Sequence, residues 1–258
     1  MLDPNTKTDY SKLKKLLQLD RLDGDRKGIL HRIAEEGGIV SEIAPSFPAS
    51  ALVKPEMFIS LLFYYGMLTI KGTYGPQYVL GIPNNNVRMQ YYNFLMENYS
   101  SACGIETKNL VTMFTGMAVD GNWRDALQYL CDCYRQLSSV RDSIEGERNI
   151  QGFFMAYLSL CSYYITAPEL ELNHGFCDFF LLPDMTHYQA RHSYILELKY
   201  LSKSDSSEGK SRQQWLEAVE QIGRYAVAPQ VEALRQGTQL HKVIVQFCGW
   251  EVIRMEEV

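Results

Sequence analysis

The chain has 258 residues, of which 46% are hydrophobic, and its formal net charge is −5. This length and composition predict a folded protein with room for two domains. The negative charge argues against nonspecific coating of nucleic acid, which needs concentrated Lys and Arg, but it excludes neither a local basic groove nor an acidic metal site.

The sequence contains no clear signal for membrane insertion, secretion, zinc binding or nucleotide binding. No apolar run approaches the roughly 20 residues needed to cross a bilayer, and the start, MLDPNTKTDYSKLKK, lacks the apolar segment of a secretory signal. We therefore expect a cytoplasmic protein with no membrane partner. The six cysteines show no zinc-finger spacing, and the chain contains no GxxxxGK[ST] phosphate loop. We expect neither structural zinc nor disulfides.

The first hundred residues read as short helices with one hairpin. DRKGILHRIAEEGG and PEMFISLLFYYG have helical patterns, GIVSEIA alternates like a strand, and MLTIKG and QYVLGI are joined by the turn residues TYGP. This order is typical of a winged-helix unit, and a generic small helical domain is the alternative. We predict a helical, winged-helix-like domain over residues 1–102. PEMFISLLFYYG is almost uncharged, which favours a core helix over one that reads a nucleic-acid groove.

The remaining sequence has an α/β pattern. After two helices, IETKNLVTMFTGMAVDG and NWRDALQYLCDCYRQL, it predicts a helix (EGERNIQGFFMAYLSLCSYY), three strands (APELELN, FCDFFLL and YILELKYL), a polar insertion at 202–212, a helix (QWLEAVEQIGRYAV) and a strand (KVIVQFCGWEV). This order predicts a mixed central sheet flanked by helices. We place the second domain at residues 103–258, with its core at 145–258.

Charged residues interrupt two of these apolar strands. YILELKYL is hydrophobic on both faces and yet contains Glu197 and Lys199, while Asp178 lies within FCDFFLL. An unpaired buried carboxylate costs roughly several kcal/mol, so it must be neutralised, paired or bound to metal. An ion pair between Glu197 and Lys199 is the simplest explanation for one strand. Two interior carboxylates on adjacent strands, however, repel each other unless a cation lies between them, and Mg²⁺ or Mn²⁺ suits such oxygen ligands.

This pattern resembles the PD-(D/E)XK nuclease superfamily, and in particular the C-terminal nuclease-like domain of bacterial AAA-ATPase-like proteins. The resemblance is clearest over residues 145–250. It rests on a helical glutamate, a glycine-led strand with an aspartate, an E-x-K strand and a Q-x-x-x-Y helix, which are supplied here by Glu147, Asp178, Glu197, Lys199, Gln221 and Tyr225. FISLLFYYGMLTI and YVLGIPNNNVRMQYYNFL resemble, more weakly, the segment that follows the ATPase-like part of such proteins.

The resemblance implies metal-dependent hydrolysis of a phosphodiester in nucleic acid, DNA before RNA. Asp178, Glu197 and the Leu198 carbonyl would hold Mg²⁺ or Mn²⁺, Lys199 would position the attacking water, and an upstream AAA-ATPase-like module would be a partner. Glu145, Glu169 or Glu171 are alternatives to Glu147. Phe176 and Cys177 stand where the family commonly has a polar residue, so a direct phosphate contact there is in doubt. A silent nuclease-like fold that binds nucleic acid or protein is the alternative function.

Overall fold

The computed structural model describes five long segments and a few separate positions. These are residues 26–46, 57–84, 106–139, 146–173 and 175–258, together with 87, 88, 90, 91 and 94. The chain divides into two compact units, residues 1–95 and 96–258. The predicted domain boundary between residues 102 and 103 lies outside the described residues and stays a prediction.

The first unit contains a three-stranded antiparallel sheet with helices. Its described elements are α1 (Arg26–Glu36), β1 (Gly38–Ser41), α2 (Phe58–Tyr64), β2 (Thr69–Tyr74) and β3 (Gln77–Gly81). The strand order is β1-β3-β2, so the β2–β3 hairpin pairs with the short first strand. The order of helix, strand, helix and hairpin is the order that the sequence predicts, and the winged-helix-like domain stays a prediction. In α2, Phe58, Leu61 and Leu62 are buried, as expected for a core helix.

The second unit contains a mixed five-stranded sheet. Its described elements are α3 (Thr107–Asp120), α4 (Trp123–Gln136), α5 (Glu147–Leu158), β4 (Tyr164–Leu172), β5 (Gly175–Pro183), β6 (His192–Leu201), α6 (Glu208–Ala226), α7 (Pro229–Leu234), β7 (Gln239–Cys248) and β8 (Glu251–Glu257). The strand order is β4-β5-β6-β7-β8. Strands β6 and β7 are parallel, and the other neighbours are antiparallel. The predicted α/β fold with a central mixed sheet, of restriction-endonuclease-like type, is confirmed.

Four local predictions need correction. Helix α5 ends at Leu158 instead of running through Tyr164, which begins β4. The polar insertion is shorter than predicted because α6 begins at Glu208, capped by the Ser207 side chain. The sequence reading also missed the short helix α7 and treated β7 and β8 as one strand. Gly249, at φ 59°, makes the turn between these two strands.

Helices cover both faces of this sheet. On one face, Phe180, Ile195 and Ile244 of three neighbouring strands form a buried cluster with Trp215 and Ile222 of α6. On the other face, Phe247 of β7 contacts Tyr134 of α4 and Phe154 of α5 through edge-to-face ring pairs. Since both faces are covered, a charged residue in β5 or β6 enters an interior from which water is largely excluded. In the part of the chain that the structure describes, no helix is long and apolar enough to cross a membrane.

Candidate active site

The antiparallel ladder between β5 and β6 ends just before the candidate site. Its last pair is Phe179 with Leu196, although each strand keeps its other neighbour well beyond that point. Asp178 and Glu197 come directly after this last pair, where the ladder has ended, and they are close enough for the charge of Glu197 to raise the pKa of Asp178. The two strands therefore separate where the sequence places its carboxylates, and the gap leaves main-chain groups without a ladder partner across it.

Asp178 fills part of this gap. Its Oδ2 accepts a hydrogen bond of 2.6 Å from the main-chain N–H of Leu198, and its Oδ1 accepts one of 2.7 Å from Nε2 of Gln151. The Leu198 N–H therefore points toward β5. Because the N–H and C=O of a strand residue lie on the same edge, the Leu198 carbonyl also opens into the gap. Asp178 thus joins β6 to helix α5.

Glu197 and Lys199 form a buried ion pair beside Asp178. Glu197 is only 1% exposed, and Nζ of Lys199 donates to its Oε1 at 2.8 Å. Nζ of Lys199 also donates to Oε1 of Gln221 at 3.0 Å. The second oxygen of Glu197, Oε2, is buried and has no hydrogen-bond partner among the described residues. A charged oxygen in this state is costly, and it is suited to accept a cation.

Helix α6 extends the network to the backbone of β5. Nε2 of Gln221 donates to the Tyr225 hydroxyl at 2.6 Å, and this hydroxyl donates to the main-chain carbonyl of Phe176 at 2.8 Å. Gln221 and Tyr225 are four residues apart, so they lie on one face of the helix. A Cβ at Gly175 would lie 2.8 Å from the Tyr225 ring. Glycine is therefore required there by this close approach, which explains why β5 begins with it.

The electrostatics of the three central groups are coupled. Burial, followed by the charge of Glu197, raises the pKa of Asp178 to about 7. Burial also raises the pKa of Glu197, in spite of the opposing effect of Lys199. For Lys199, burial lowers the pKa, but the charges of Glu197 and Asp178 raise it by more. The carboxylates therefore resist ionisation, whereas the ammonium is held in its charged form.

Glu147 lies at the edge of this cluster. It is exposed and begins α5, where it precedes Gln151 by four residues and so shares its face. Its negative charge contributes to the raised pKa of Asp178, which shows that it is within electrostatic reach. Among the alternatives, Glu171 is exposed on β4, whereas Glu145 and the side chain of Glu169 lie outside the described residues.

The structure thus brings the predicted site residues to one place, with Glu147 at its margin. Asp178 bonds to the Leu198 main chain, and Glu197, Lys199, Gln221 and Tyr225 follow one another in a single chain of hydrogen bonds. Sequence reasoning missed Gln151. The signal that would have found it is its spacing of four from Glu147, which places both side chains on the face of α5 that meets Asp178.

The oxygen donors at this site suit a partly hydrated divalent ion. In the described ranges, no three His, Cys, Asp or Glu side chains form a set that could hold a metal ion. Mg²⁺, however, usually keeps several waters and is bound through only one or two carboxylates. Asp178, the unpartnered Oε2 of Glu197 and the Leu198 carbonyl supply oxygen donors of this kind. The residues therefore fit a partly hydrated hard cation better than a fully protein-coordinated one.

A mixed sheet between helices, with a carboxylate–lysine cluster where two strands part, defines a restriction-endonuclease-like α/β domain. Consistent with this, residues 145–257 match the family model of the PD-(D/E)XK nuclease superfamily. This segment is less than half of the chain, and the match does not extend to the first unit or to an ATPase-like part. Comparison with curated proteins and with solved structures gave no match.

Proposed function

We propose that this protein hydrolyses phosphodiester bonds of nucleic acid, DNA in the first place, in a reaction that depends on a divalent metal. One observation carries the proposal: Asp178 and Glu197 converge with Lys199 where β5 and β6 separate, and one buried oxygen of Glu197 has no partner among the described residues. The match of residues 145–257 to a nuclease superfamily supports the same chemistry.

The proposed roles of the residues come from the resemblance, and their contacts support them. Asp178, Glu197 and the Leu198 carbonyl would hold Mg²⁺ or Mn²⁺, with Glu147 contributing through water. When bound, the metal supplies positive charge to stabilise the developing charge on the scissile phosphate. Lys199 holds its ammonium beside Glu197, where it orients the attacking water.

Two residues of α6 brace this arrangement. Gln221 accepts a hydrogen bond from Lys199, and Tyr225 donates to the main chain of β5. These contacts fix the position of the ammonium relative to β5, because each side chain in the chain from Lys199 to Phe176 is held by the next. We infer that Gln221 and Tyr225 act as positioning residues and orient the nucleic-acid strand.

The decisive experiment replaces Lys199 with alanine and measures cleavage of labelled DNA with Mg²⁺ or Mn²⁺. Lys199→Ala is expected to reduce cleavage by at least about 100-fold, as for the loss of a group that acts in the transition state. Lys210→Ala is the matched control, because Lys210 forms an exposed ion pair with Asp205 at 3.9 Å, and it should cleave normally. Undiminished cleavage by folded Lys199→Ala would remove Lys199 from the mechanism.

A silent, nucleic-acid-binding or protein-binding module is the second candidate. The observation in its favour is that Lys199 neutralises one oxygen of Glu197, so an ion pair alone accounts for part of the burial. Calorimetric titration with Mn²⁺ separates the two functions. The nuclease should bind the ion and lose this binding in Asp178→Asn, whereas a binding module need not take up metal.

An AAA-ATPase-like partner is a further proposal. It is supported by the resemblance of FISLLFYYGMLTI and YVLGIPNNNVRMQYYNFL to the segment that follows such a module, and the structure gives the first of these a core helix and the start of a hairpin. Light scattering of the chain mixed with a purified AAA-ATPase-like protein tests it. Separate particles at micromolar concentration would count against this partner.

A further inference from the structure

Phe176 is exposed beside the candidate active site. It lies on β5 two residues before Asp178, so both side chains project from the same face of the strand. Phe176 is 60% exposed, whereas Cys177, Phe179 and Phe180 of the same strand are buried. The exposed ring therefore lies on the same side of β5 as Asp178, two residues from it along the strand.

Exposure alone does not distinguish this ring, since single exposed apolar side chains are ordinary on protein surfaces. Ile165 of the neighbouring strand β4 is also 60% exposed. What distinguishes Phe176 is its attachment. Its main-chain carbonyl accepts the hydrogen bond from Tyr225 at 2.8 Å, and Gly175 lies directly against the Tyr225 ring.

This attachment connects the ring to the proposed catalytic groups. Tyr225 is bonded to Gln221, and Gln221 to Lys199. Phe176 thus stands on a backbone fixed relative to the ammonium, although its own ring remains open to solvent. An exposed aromatic ring on a fixed backbone has only its own side-chain rotation to lose when it contacts a substrate, which keeps the cost in conformational entropy small.

The charges around Phe176 favour a base over a phosphate as its contact. Its cross-strand neighbour in the register is the exposed Glu171, whose negative charge repels phosphate. A phenyl ring offers no hydrogen-bond donor to a phosphate, but every nucleobase has a face on which it can stack. Lys199 acts on the phosphate backbone of the substrate, and Phe176 therefore extends the site to a contact with a base.

We propose that Phe176 stacks on a nucleobase next to the scissile phosphate, and that the substrate is single-stranded or locally opened nucleic acid. This inference rests on the proposed nuclease function. In a duplex, neighbouring bases cover both faces of each base, so an aromatic side chain can stack only on a base that is unpaired and unstacked. The substrate class follows from that requirement.

The test measures binding of a fluorescein-labelled 12-nucleotide single strand, and of the same sequence as a duplex, by fluorescence anisotropy. All proteins carry Lys199→Ala, so that bound nucleic acid is not cut, and Mg²⁺ is present. Adding Phe176→Ala is expected to weaken single-strand binding about 5- to 100-fold. Phe176→Trp should restore binding to within about threefold, because an indole also stacks. Ile165→Ala, the matched control of equal exposure, should bind like its parent.

Two results would overturn the inference: single-strand binding that is unchanged in Phe176→Ala, or tighter binding of the duplex than of the single strand. Cleavage by the chain that keeps Lys199, with and without Phe176→Ala, distinguishes this failure from failure of the proposed function. If that chain cuts duplex DNA and its Phe176→Ala variant is equally active, the stacking contact is refuted and the nuclease is left intact. If that chain cuts nothing, but Phe176→Ala weakens single-strand binding, the nuclease is refuted and the contact is supported.

Discussion

The sheet of the second unit contains two clusters of polar side chains, which differ in how many of their polar atoms have hydrogen-bond partners. The first is the carboxylate–lysine cluster of Asp178, Glu197 and Lys199. The second, which we call the histidine chain, consists of His192, His241 and Glu257 and begins at the opposite end of β6. Each cluster contains a buried ionisable side chain, Glu197 in the first and His241 in the second. They differ in whether each polar atom has a partner.

The histidine chain is closed. Nδ1 of His192 and Nε2 of His241 are 2.8 Å apart, so that one of them donates to the other, and Nδ1 of His241 donates to Oε1 of Glu257 at 2.7 Å. The other oxygen, Oε2 of Glu257, accepts a hydrogen bond from Nε1 of Trp123 at 2.9 Å. His241 also stacks on Tyr194 with a centroid separation of 4.9 Å. Such a chain ties β6, β7, β8 and α4 together and needs no ligand.

The carboxylate–lysine cluster is open. It places two carboxylates on neighbouring strands, raises the pKa of both through burial, and leaves Oε2 of Glu197 without a partner among the described residues. Native proteins rarely tolerate such a group without a use for it. The difference fits the proposal that the carboxylate cluster reduces stability in favour of chemistry, and it leads us to expect that the histidine chain serves stability.

We expect the largest effect on stability from a substitution that breaks the histidine chain. His241→Ala removes a buried ring, its stacking on Tyr194 and two hydrogen bonds, so it should lower the free energy of unfolding by about 3 kcal/mol. Urea denaturation measures this loss. Folded His241→Ala should cleave nucleic acid at the parent rate. His187→Ala is the control, because His187 forms a similar pair with Asp184 on the surface, with a side chain that is 62% exposed, and it should change stability by less than about 0.5 kcal/mol.

The next effect has the opposite sign. Asp178→Asn should abolish cleavage and yet raise the free energy of unfolding by about 1–2 kcal/mol at pH 8 in the presence of a chelator. The folded-state pKa of Asp178, about 7, lies above its ordinary value of 3.8. Stability linked to its protonation is therefore fully present below pH 3.8 and is lost as the pH rises through 7. Asparagine carries no charge and escapes that loss, since its amide can still accept the Leu198 N–H.

The pH dependence provides the check on Asp178→Asn. The advantage of the variant over the parent should be small at pH 4 and should grow up to pH 8. Asp184→Asn is the control, because the hydrogen bond and charge of His187 lower the pKa of Asp184, so its replacement should not stabilise the protein at pH 8. If Asp178→Asn were less stable than the parent at pH 8, Asp178 would be a structural group like those of the histidine chain.

A smaller effect concerns Gln151, whose Nε2 holds Oδ1 of Asp178. Gln151→Ala should leave the free energy of unfolding within about 1 kcal/mol of the parent and reduce cleavage about tenfold, because Asp178 loses one of the two contacts that orient it. Raising the Mg²⁺ concentration should recover part of the rate. Gln213→Ala, which removes an exposed hydrogen bond to Glu217 on α6, should cleave normally. Equal rates for both variants would mean that Gln151 does not position Asp178.

The two clusters also differ in how far the sequence predicts them. Asp178, Glu197 and Lys199 were found because each is a charge inside a short apolar strand, which is a local signal with a period of two residues. The histidine chain gave no such signal. Its members come from three strands, and only the parallel register that sets Tyr194 beside His241 brings His192 and His241 together. Contacts of this kind depend on strand order, which a local pattern does not contain.

The fold shows the same division between local and tertiary information. Most helices and strands of the second unit follow from hydrophobic periodicity, and the mixed sheet follows from their order. The start of α6 was missed because its first residues, from Glu208 to Arg212, are polar and mostly exposed, so they lack an apolar stripe. The separation of β7 from β8 was missed because Gly249 and Trp250 make a turn of only two residues. Neither feature has a strong signal in the local pattern.

The smallest expected effect is an opposite dependence of the free energy of unfolding on pH in the two clusters. Burial, and next the neighbouring imidazole of His241, lower the pKa of His192, while Asp120 raises it and Arg191 lowers it. Glu257 faces the pair from β8 through His241. Because the folded-state pKa lies below the ordinary value of 6.5, the stability linked to His192 is present above pH 6.5 and is lost as the pH falls.

The carboxylate cluster gains stability over the same range as Asp178 takes up its proton. In urea denaturation, His192→Asn should therefore reduce the loss of stability between pH 7 and pH 5, whereas Asp178→Asn should enlarge it. Parallel changes in both variants would show that the two clusters do not differ in the way proposed.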